Sequence, residues 1–187
     1  MWNQEGHLAS TGISEFTFGF AFLHEQVQHQ DGNFRAMPVL PSLQDENELG
    51  WDAHLPLNGT DYYYQFKLSE YLSRRNAKYI VDGTFSGPYY RIWLHRHDGN
   101  KQHRLLRTLS QQCPNTYYVA PELNTRSAFD THFLTGQITE HSRLIPLTEC
   151  RDINDALQHC ICYQNGTDEF EFFHREDQKE GYIQDDR

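Results

Sequence analysis

The stretch GWDAHLPLNGTDYYYQFKLSE, residues 50–70, carries Asp52 and, further along, Gln65 and Lys67 two positions apart. A carboxylate and an amide oxygen on adjacent strands can hold a hard divalent cation such as Mg²⁺. A lysine beside them can orient a water, help remove its proton, and stabilise charge on a phosphate. Together these residue types make a kit for hydrolysing a phosphodiester.

The elements around them must bring the three side chains together. Asn58-Gly59 is a strong two-residue hairpin signal between two runs of strand character, 49–57 and 62–69. With that turn, Leu57 faces Thr60, Leu55 faces Tyr62, and Asp52 faces Gln65. Cross-strand partners share a face, and so do residues two apart. Asp52, Gln65 and Lys67 therefore fall on one face with Gly50, His54, Tyr63 and Ser69. The opposite face collects Trp51, Ala53, Leu55, Tyr64, Phe66 and Leu68 and belongs to the core. A four-residue turn keeps this parity; an odd loop without a bulge breaks it. A plainer alternative is an amphipathic hairpin with its polar face in water and Asp52–Lys67 as a weak surface pair.

An acid on one strand followed by Gln-x-Lys on its neighbour resembles the PD-(D/E)xK, restriction-endonuclease-like nuclease superfamily, in its Gln-x-Lys variants among bacterial restriction and anti-phage nucleases. Many members add a glutamate from the first helix, and SEFTFGFAFLHE ahead of the hairpin fits that arrangement. The resemblance spans roughly residues 13–121. It implies an α/β fold with a mixed sheet, a central antiparallel hairpin and flanking helices. It implies Asp52 as the principal ligand of Mg²⁺ or Mn²⁺, Gln65 as a neutral oxygen donor, and the Phe66 carbonyl as a further ligand. Lys67 would serve the attacking water, and Glu15, or failing that Glu25, would be the helix carboxylate. The activity implied is that of a DNA endonuclease effector in anti-phage defence, or of an inactive binding and assembly subunit. The partners implied are DNA, a sensor, ATPase or other defence-complex protein, and further copies of the chain as a homo-oligomer.

The charge distribution accommodates a nucleic-acid partner. The 187-residue chain has a net charge of −10. Residues 67–107 nonetheless hold nine Lys and Arg against three acids, between two acidic flanks. Such a block can make a local positive patch, although a solvated face is the simpler reading. Arg74, Arg75, Lys78 and Arg104 are the candidate phosphate contacts, with Arg91, Arg96, Lys101 and Arg107 beside them.

Other motifs carry less. HEQVQH puts His24 and His29 five apart, which leaves one helical face and excludes a zincin. His95, His97 and His103 suggest solvated histidines more than a metal site. Cys160 and Cys162 with Cys150 lack a matching partner pair for zinc. No Gly-rich phosphate loop and no nucleophile elbow appears. The four cysteines form no disulfide framework, the start MWNQEGHLAS has no leader pattern, and no stretch is long enough to span a membrane, so a cytoplasmic protein is expected.

Along the chain, 13–30 is a helix capped by Ser14, with Phe16, Phe20, Leu23 and Val27 on its apolar face. Residues 31–48 suggest a loop with at most an edge strand in MPVLPSL. Strands follow at 88–95, 116–121 and around RLIPL, with helices at 100–112, near 126–137 and near 152–162. Residues 1–175 are expected to form one domain, and 176–187 a polar, disordered tail.

Overall fold

The computed structural model describes residues 12–73 and 77–174. Two four-stranded sheets form its centre. Sheet A has the order β1-β2-β5-β6: Ala53–Leu57, Thr60–Phe66, Thr116–Pro121 and Ser142–Pro146. It is mixed, because β2 and β5 run parallel while its other pairs are antiparallel. Sheet B is antiparallel throughout, with the order β3-β4-β7-β8: Glu70–Leu72, Tyr89–Trp93, His159–Tyr163 and Phe170–His174. The arrangement is α/β, with helices against the sheets.

Three apolar clusters order the layers. Helices α1 (Glu15–His29) and α5 (Arg126–Thr135) pack Phe18, Phe22 and Phe129 on Ala53, Leu55, Tyr64, Phe66 and Val119 of sheet A. The other face of sheet A meets sheet B through Tyr118, Ala120, Ile145, Tyr90, Ile92, Ile161 and Tyr163. Helix α4 (His97–Gln112) closes this layer with Leu106. The outer face of sheet B packs Tyr89, Cys160 and Cys162 against Tyr79 of the short α3 (Lys78–Val81).

The hairpin has the register that its Asn-Gly turn dictates: Ala53 opposite Tyr64, Leu55 opposite Tyr62, Leu57 opposite Thr60. Gly59 takes φ +89°, the left-handed conformation that glycine supplies at no steric cost. The hairpin lies at one side of sheet A rather than at its centre, with β1 outermost. Single bridges from Phe34 and Val39 cover part of that edge, so MPVLPSL contributes an isolated bridge and no strand.

Several elements depart from the sequence expectation. Helix α1 is capped by Ser14, whose Oγ accepts the Thr17 N–H, but its phase is rotated. Phe18, Ala21, Phe22 and Glu25 are buried, whereas Phe16, Phe20 and Val27 are exposed. The phenylalanines spaced four apart occur on both sides of this helix, so periodicity alone did not choose the inward one. The expected loop 31–48 contains α2 (Leu43–Leu49), capped by Ser42 and ended by Gly50 at φ +81°. Residues 49–52 belong to this helix end and its exit, so β1 starts only at Ala53. The expected helix near 152–162 is largely replaced by β7, buried on both faces and so without strand alternation. The expected tail, 176–187, lies outside the described residues. Among the described residues no helix is long and apolar enough to cross a membrane.

Candidate functional site

The site forms where β1 begins and β2 ends. Asp52 immediately precedes β1, and its backbone N–H donates to the Tyr64 carbonyl at 2.8 Å. That bond holds the carboxylate beside the end of β2. Its Oδ2 accepts the Phe66 N–H at 2.7 Å and a Gln65 Nε2–H at 2.7 Å. The same Gln65 amide donates to the Phe66 carbonyl at 3.2 Å. Gln65 pairs in register with Tyr118 of β5, and Lys67 N–H donates to Val119 O at 2.9 Å. Parallel pairing with β5 therefore fixes the strand end that presents both side chains.

The shared face expected for Asp52, Gln65 and Lys67 is present, but it is not wet. Gln65 is 0% exposed and Lys67 3%. Sheet B and α4 pack over this side of sheet A, so the surface-pair alternative is excluded for these residues. Trp51 departs from the parity: the chain bends before β1, and its indole joins the inter-sheet cluster, 5.5 Å from the Tyr63 ring.

Two buried polar atoms at the site have no hydrogen-bond partner, Gln65 Oε1 and Lys67 Nζ. Leaving such groups unsatisfied costs about 1–3 kcal/mol each, so buried orphans call for a specific reason. Burial pushes the Asp52 carboxyl up to about 7; the Lys67 ammonium and the Phe66 N–H pull against it, and Glu46 and Glu15 add to the rise. Glu15, in the first turn of α1, is also raised, first by burial and also by Glu46, while Lys67 and the Leu68 backbone N–H lower it. The Lys67 charge thus acts on both carboxyls although it makes no hydrogen bond.

The structure therefore brings together Asp52, Gln65, Lys67 and Glu15, with the Phe66 carbonyl between them. Glu25, the second choice for the helix carboxylate, is elsewhere. It is 2% exposed, and its two oxygens accept the Ile138 and Thr139 N–H groups at 2.8 Å each. It anchors the segment after α5. Glu46, which also acts on both carboxyls, comes from α2, within a stretch whose composition suggests a loop. The signal was available: Ser42 three residues before Asp45 is a helix start, and Gly50 is a helix stop.

The basic block is partly spent on internal structure. Arg91 donates from Nε and Nη2 to Glu70 and lies over the Trp93 ring at 4.5 Å. Arg107 bonds Asp152 at 3.0 Å and the Leu147 carbonyl. Lys78 is half-buried, 5.5 Å from the Tyr79 ring, while Arg104 is exposed on α4. Arg74 and Arg75 lie outside the described residues. His103 is buried, not solvated. It is hydrogen-bonded to Tyr118 Oη and the Arg151 carbonyl, and burial takes its imidazole down to about 4.

Among the described residues, no three His, Cys, Asp or Glu side chains form a group that could hold a metal ion. The donors available at the site are instead mixed oxygens: the Asp52 and Glu15 carboxyls, the Phe66 carbonyl, and the partnerless Gln65 Oε1. Hard oxygens of this kind suit Mg²⁺ or Mn²⁺ rather than a soft transition metal. No protein-family model, no curated protein and no solved structure matches the chain.

Proposed function

We propose that the chain is a metal-dependent nuclease with a restriction-endonuclease-like core, acting on DNA in anti-phage defence. One observation carries this reading: a buried lysine without a hydrogen-bond partner beside a carboxyl pushed up to about 7 and a buried, half-satisfied amide, all on one strand end. A structural role alone gives no reason to bury Lys67 in this way, whereas proton transfer from a water and stabilisation of a charged phosphate require an ammonium or amine aimed into a dry site.

Asp52, Gln65 Oε1, the Phe66 carbonyl and Glu15 are the groups that would hold Mg²⁺ or Mn²⁺. Such an ion, when bound, acidifies water and neutralises charge on a phosphate. The chain's own residues do the rest. The Phe66 N–H fixes the direction of the Asp52 carboxylate. Lys67, as an ammonium, would orient the attacking water and stabilise the charge that builds on the five-coordinate phosphorus as the new P–O bond forms and the P–O bond to the departing nucleotide oxygen, which takes up a proton, breaks. Arg104 and Lys78, with Arg74 and Arg75, would contact flanking phosphates.

A second reading has its own support. Gln65 Nε2 donates to both Asp52 Oδ2 and the Phe66 carbonyl, two of the oxygens that would hold a cation. An amide in that position favours an inactive binding or assembly subunit, and metal binding requires it to turn its oxygen inward. Incubation of the purified chain with duplex DNA, single-stranded DNA and RNA, with Mg²⁺ or Mn²⁺, separates the two readings. The nuclease reading expects metal-dependent cleavage that Lys67→Ala and Asp52→Ala abolish with folding intact. Absence of cleavage, with DNA bound equally with and without metal, would leave only the binding subunit.

A further inference from the structure

The segment RAMPVLP, residues 35–41, runs along the outer edge of β1, and nothing in the candidate site uses it. Its backbone is tied to that edge. The Arg35 N–H donates to the Pro56 carbonyl at 3.0 Å, and Val39 and His54 exchange N–H to carbonyl bonds at 2.9 Å each. The prolines interrupt any longer ladder, because neither has an N–H to donate. They fix their own φ and bias Met37 and Leu40, the residues before them, toward extended or polyproline II conformation. Met37 is 82% exposed and Leu40 61%. Shielding a sheet edge accounts for the prolines but not for these two side chains, since an edge is guarded with charged or bulge-forming residues.

A polyproline II helix has about three residues per turn. On that repeat Arg35, Pro38 and Pro41 share one edge, and Met37 and Leu40 share a second. Ala36 and Val39 lie on the third. The molecule keeps the third for itself, through Val39 and His54. The other two carry both apolar–proline pairs.

We infer that residues 35–41 are a docking segment for a protein domain that reads polyproline II ligands. Its groove of aromatic side chains takes Met37-Pro38 and Leu40-Pro41, and a carboxylate of the domain faces Arg35. The spacing selects this partner over a flat apolar surface: prolines three apart, each preceded by a large apolar residue, are what such grooves accept. Charge sets the direction. The Arg35 side chain, 46% exposed, is the cation at one end, and the exposed Asp45 and Glu48 of α2 follow the other. A groove that is acidic at one end and basic beyond the other accepts the segment one way round. Because β1 and the prolines already restrain the segment, docking costs it little conformational freedom. The interaction stands whether or not the chain cleaves DNA.

Isothermal titration of the full chain with a panel of purified SH3 domains, which carry an aromatic groove with an acidic pocket beside it, tests this. Binding with a micromolar Kd is expected from the panel. Replacing both prolines, Pro38→Ala with Pro41→Ala, should weaken it at least about tenfold. Leu40→Glu, at a side chain already in solvent, should do the same and decides the matter should the proline variant fail to fold. Asp61→Asn releases Arg35 from its 2.7 Å ion pair and should strengthen binding several-fold. Val81→Glu, 70% exposed but on α3, should leave the affinity unchanged. A wild type that no domain of the panel binds would overturn the inference. So would binding that survives in the folded proline variant or in Leu40→Glu, that Asp61→Asn does not strengthen, or that Val81→Glu removes.

Discussion

Two carboxyls on either side of sheet A, Glu25 buried and Asp52 half-buried, make a useful contrast. Glu25 is almost wholly buried, yet each of its oxygens receives a backbone N–H at 2.8 Å. The Ile138 and Thr139 amides are satisfied by it in return. Asp52 sits among groups that are not satisfied: the Gln65 Oε1 and Lys67 Nζ beside it have no partner, and its own carboxyl is pushed up to about 7. Both centres are costly to bury, but only the first recovers that cost within the fold. A balanced polar centre is explained by the structure it holds, whereas an unbalanced one calls for a ligand or a reaction.

The sharpest way to break this contrast is to remove one group from each centre. Lys67→Met keeps the length of the side chain and removes the unpartnered ammonium. Unfolding free energy should stay within about 1 kcal/mol of wild type, because no hydrogen bond is lost. Cleavage should fall by at least about a hundredfold, as for loss of a group that handles protons. Glu25→Ala strands two buried N–H groups and should cost about 3 kcal/mol, with cleavage by the folded fraction retained. Urea unfolding and plasmid cleavage on the same preparations check both. A Lys67→Met protein that unfolds as readily as Glu25→Ala would show that the lysine is structural.

How much of this contrast could be seen in the sequence depends on the kind of information each part needs. The hairpin register was legible because a two-residue Asn-Gly turn and a period of two leave one pairing, and Asp52 had to meet Gln65. That Gln65 and Lys67 are dry was not legible. Burial there comes from sheet B, whose strand β7 reads His-Cys-Ile-Cys-Tyr without alternation and whose β3 has three residues. The α1 phase was ambiguous because Phe16 and Phe20 are as apolar as Phe18 and Phe22, and only contact with Tyr64 and Phe66 distinguishes them. Trp51 escaped parity because it precedes the strand. Glu46 reaches the site from a helix whose caps were legible but whose apolar content is slight.

The pH dependence of stability gives a finer test. The Asp52 carboxyl rises from its ordinary 3.8 to about 7 in the folded chain, so the folded state binds its proton more tightly than the unfolded state. The associated stability is fully present below about pH 4 and is lost as the pH climbs through 7. Asp52→Asn keeps an oxygen for the Phe66 N–H and removes the ionisation. Its melting temperature should match wild type in the acid range and exceed it at alkaline pH by several degrees. A difference that is flat with pH would mean that Asp52 is as well satisfied as Glu25, and the contrast between the two centres would collapse.

The smallest expected effect tests whether the two sides of sheet A are mechanically linked. Phe66 belongs to both: its ring packs under α1, and its N–H holds Asp52 Oδ2 at 2.7 Å. Gly19 lets α1 approach so closely that an added Cβ would come within 2.7 Å of the Phe66 ring. The ring has little room to yield, with Phe18 and Phe22 each 5.9 Å away. Gly19→Ala gains up to about 1 kcal/mol of helix propensity but forces an overpacked contact costing about 1–3 kcal/mol. A net loss of roughly 1 kcal/mol is expected, with a several-fold drop in cleavage, because a displaced Phe66 carries its N–H away from Asp52. Were Gly19→Ala stabilising and fully active, the ring would be free to move without disturbing the carboxylate. The core under α1 and the unsatisfied centre on the far face would then be independent, joined by sequence at Phe66 but not by force.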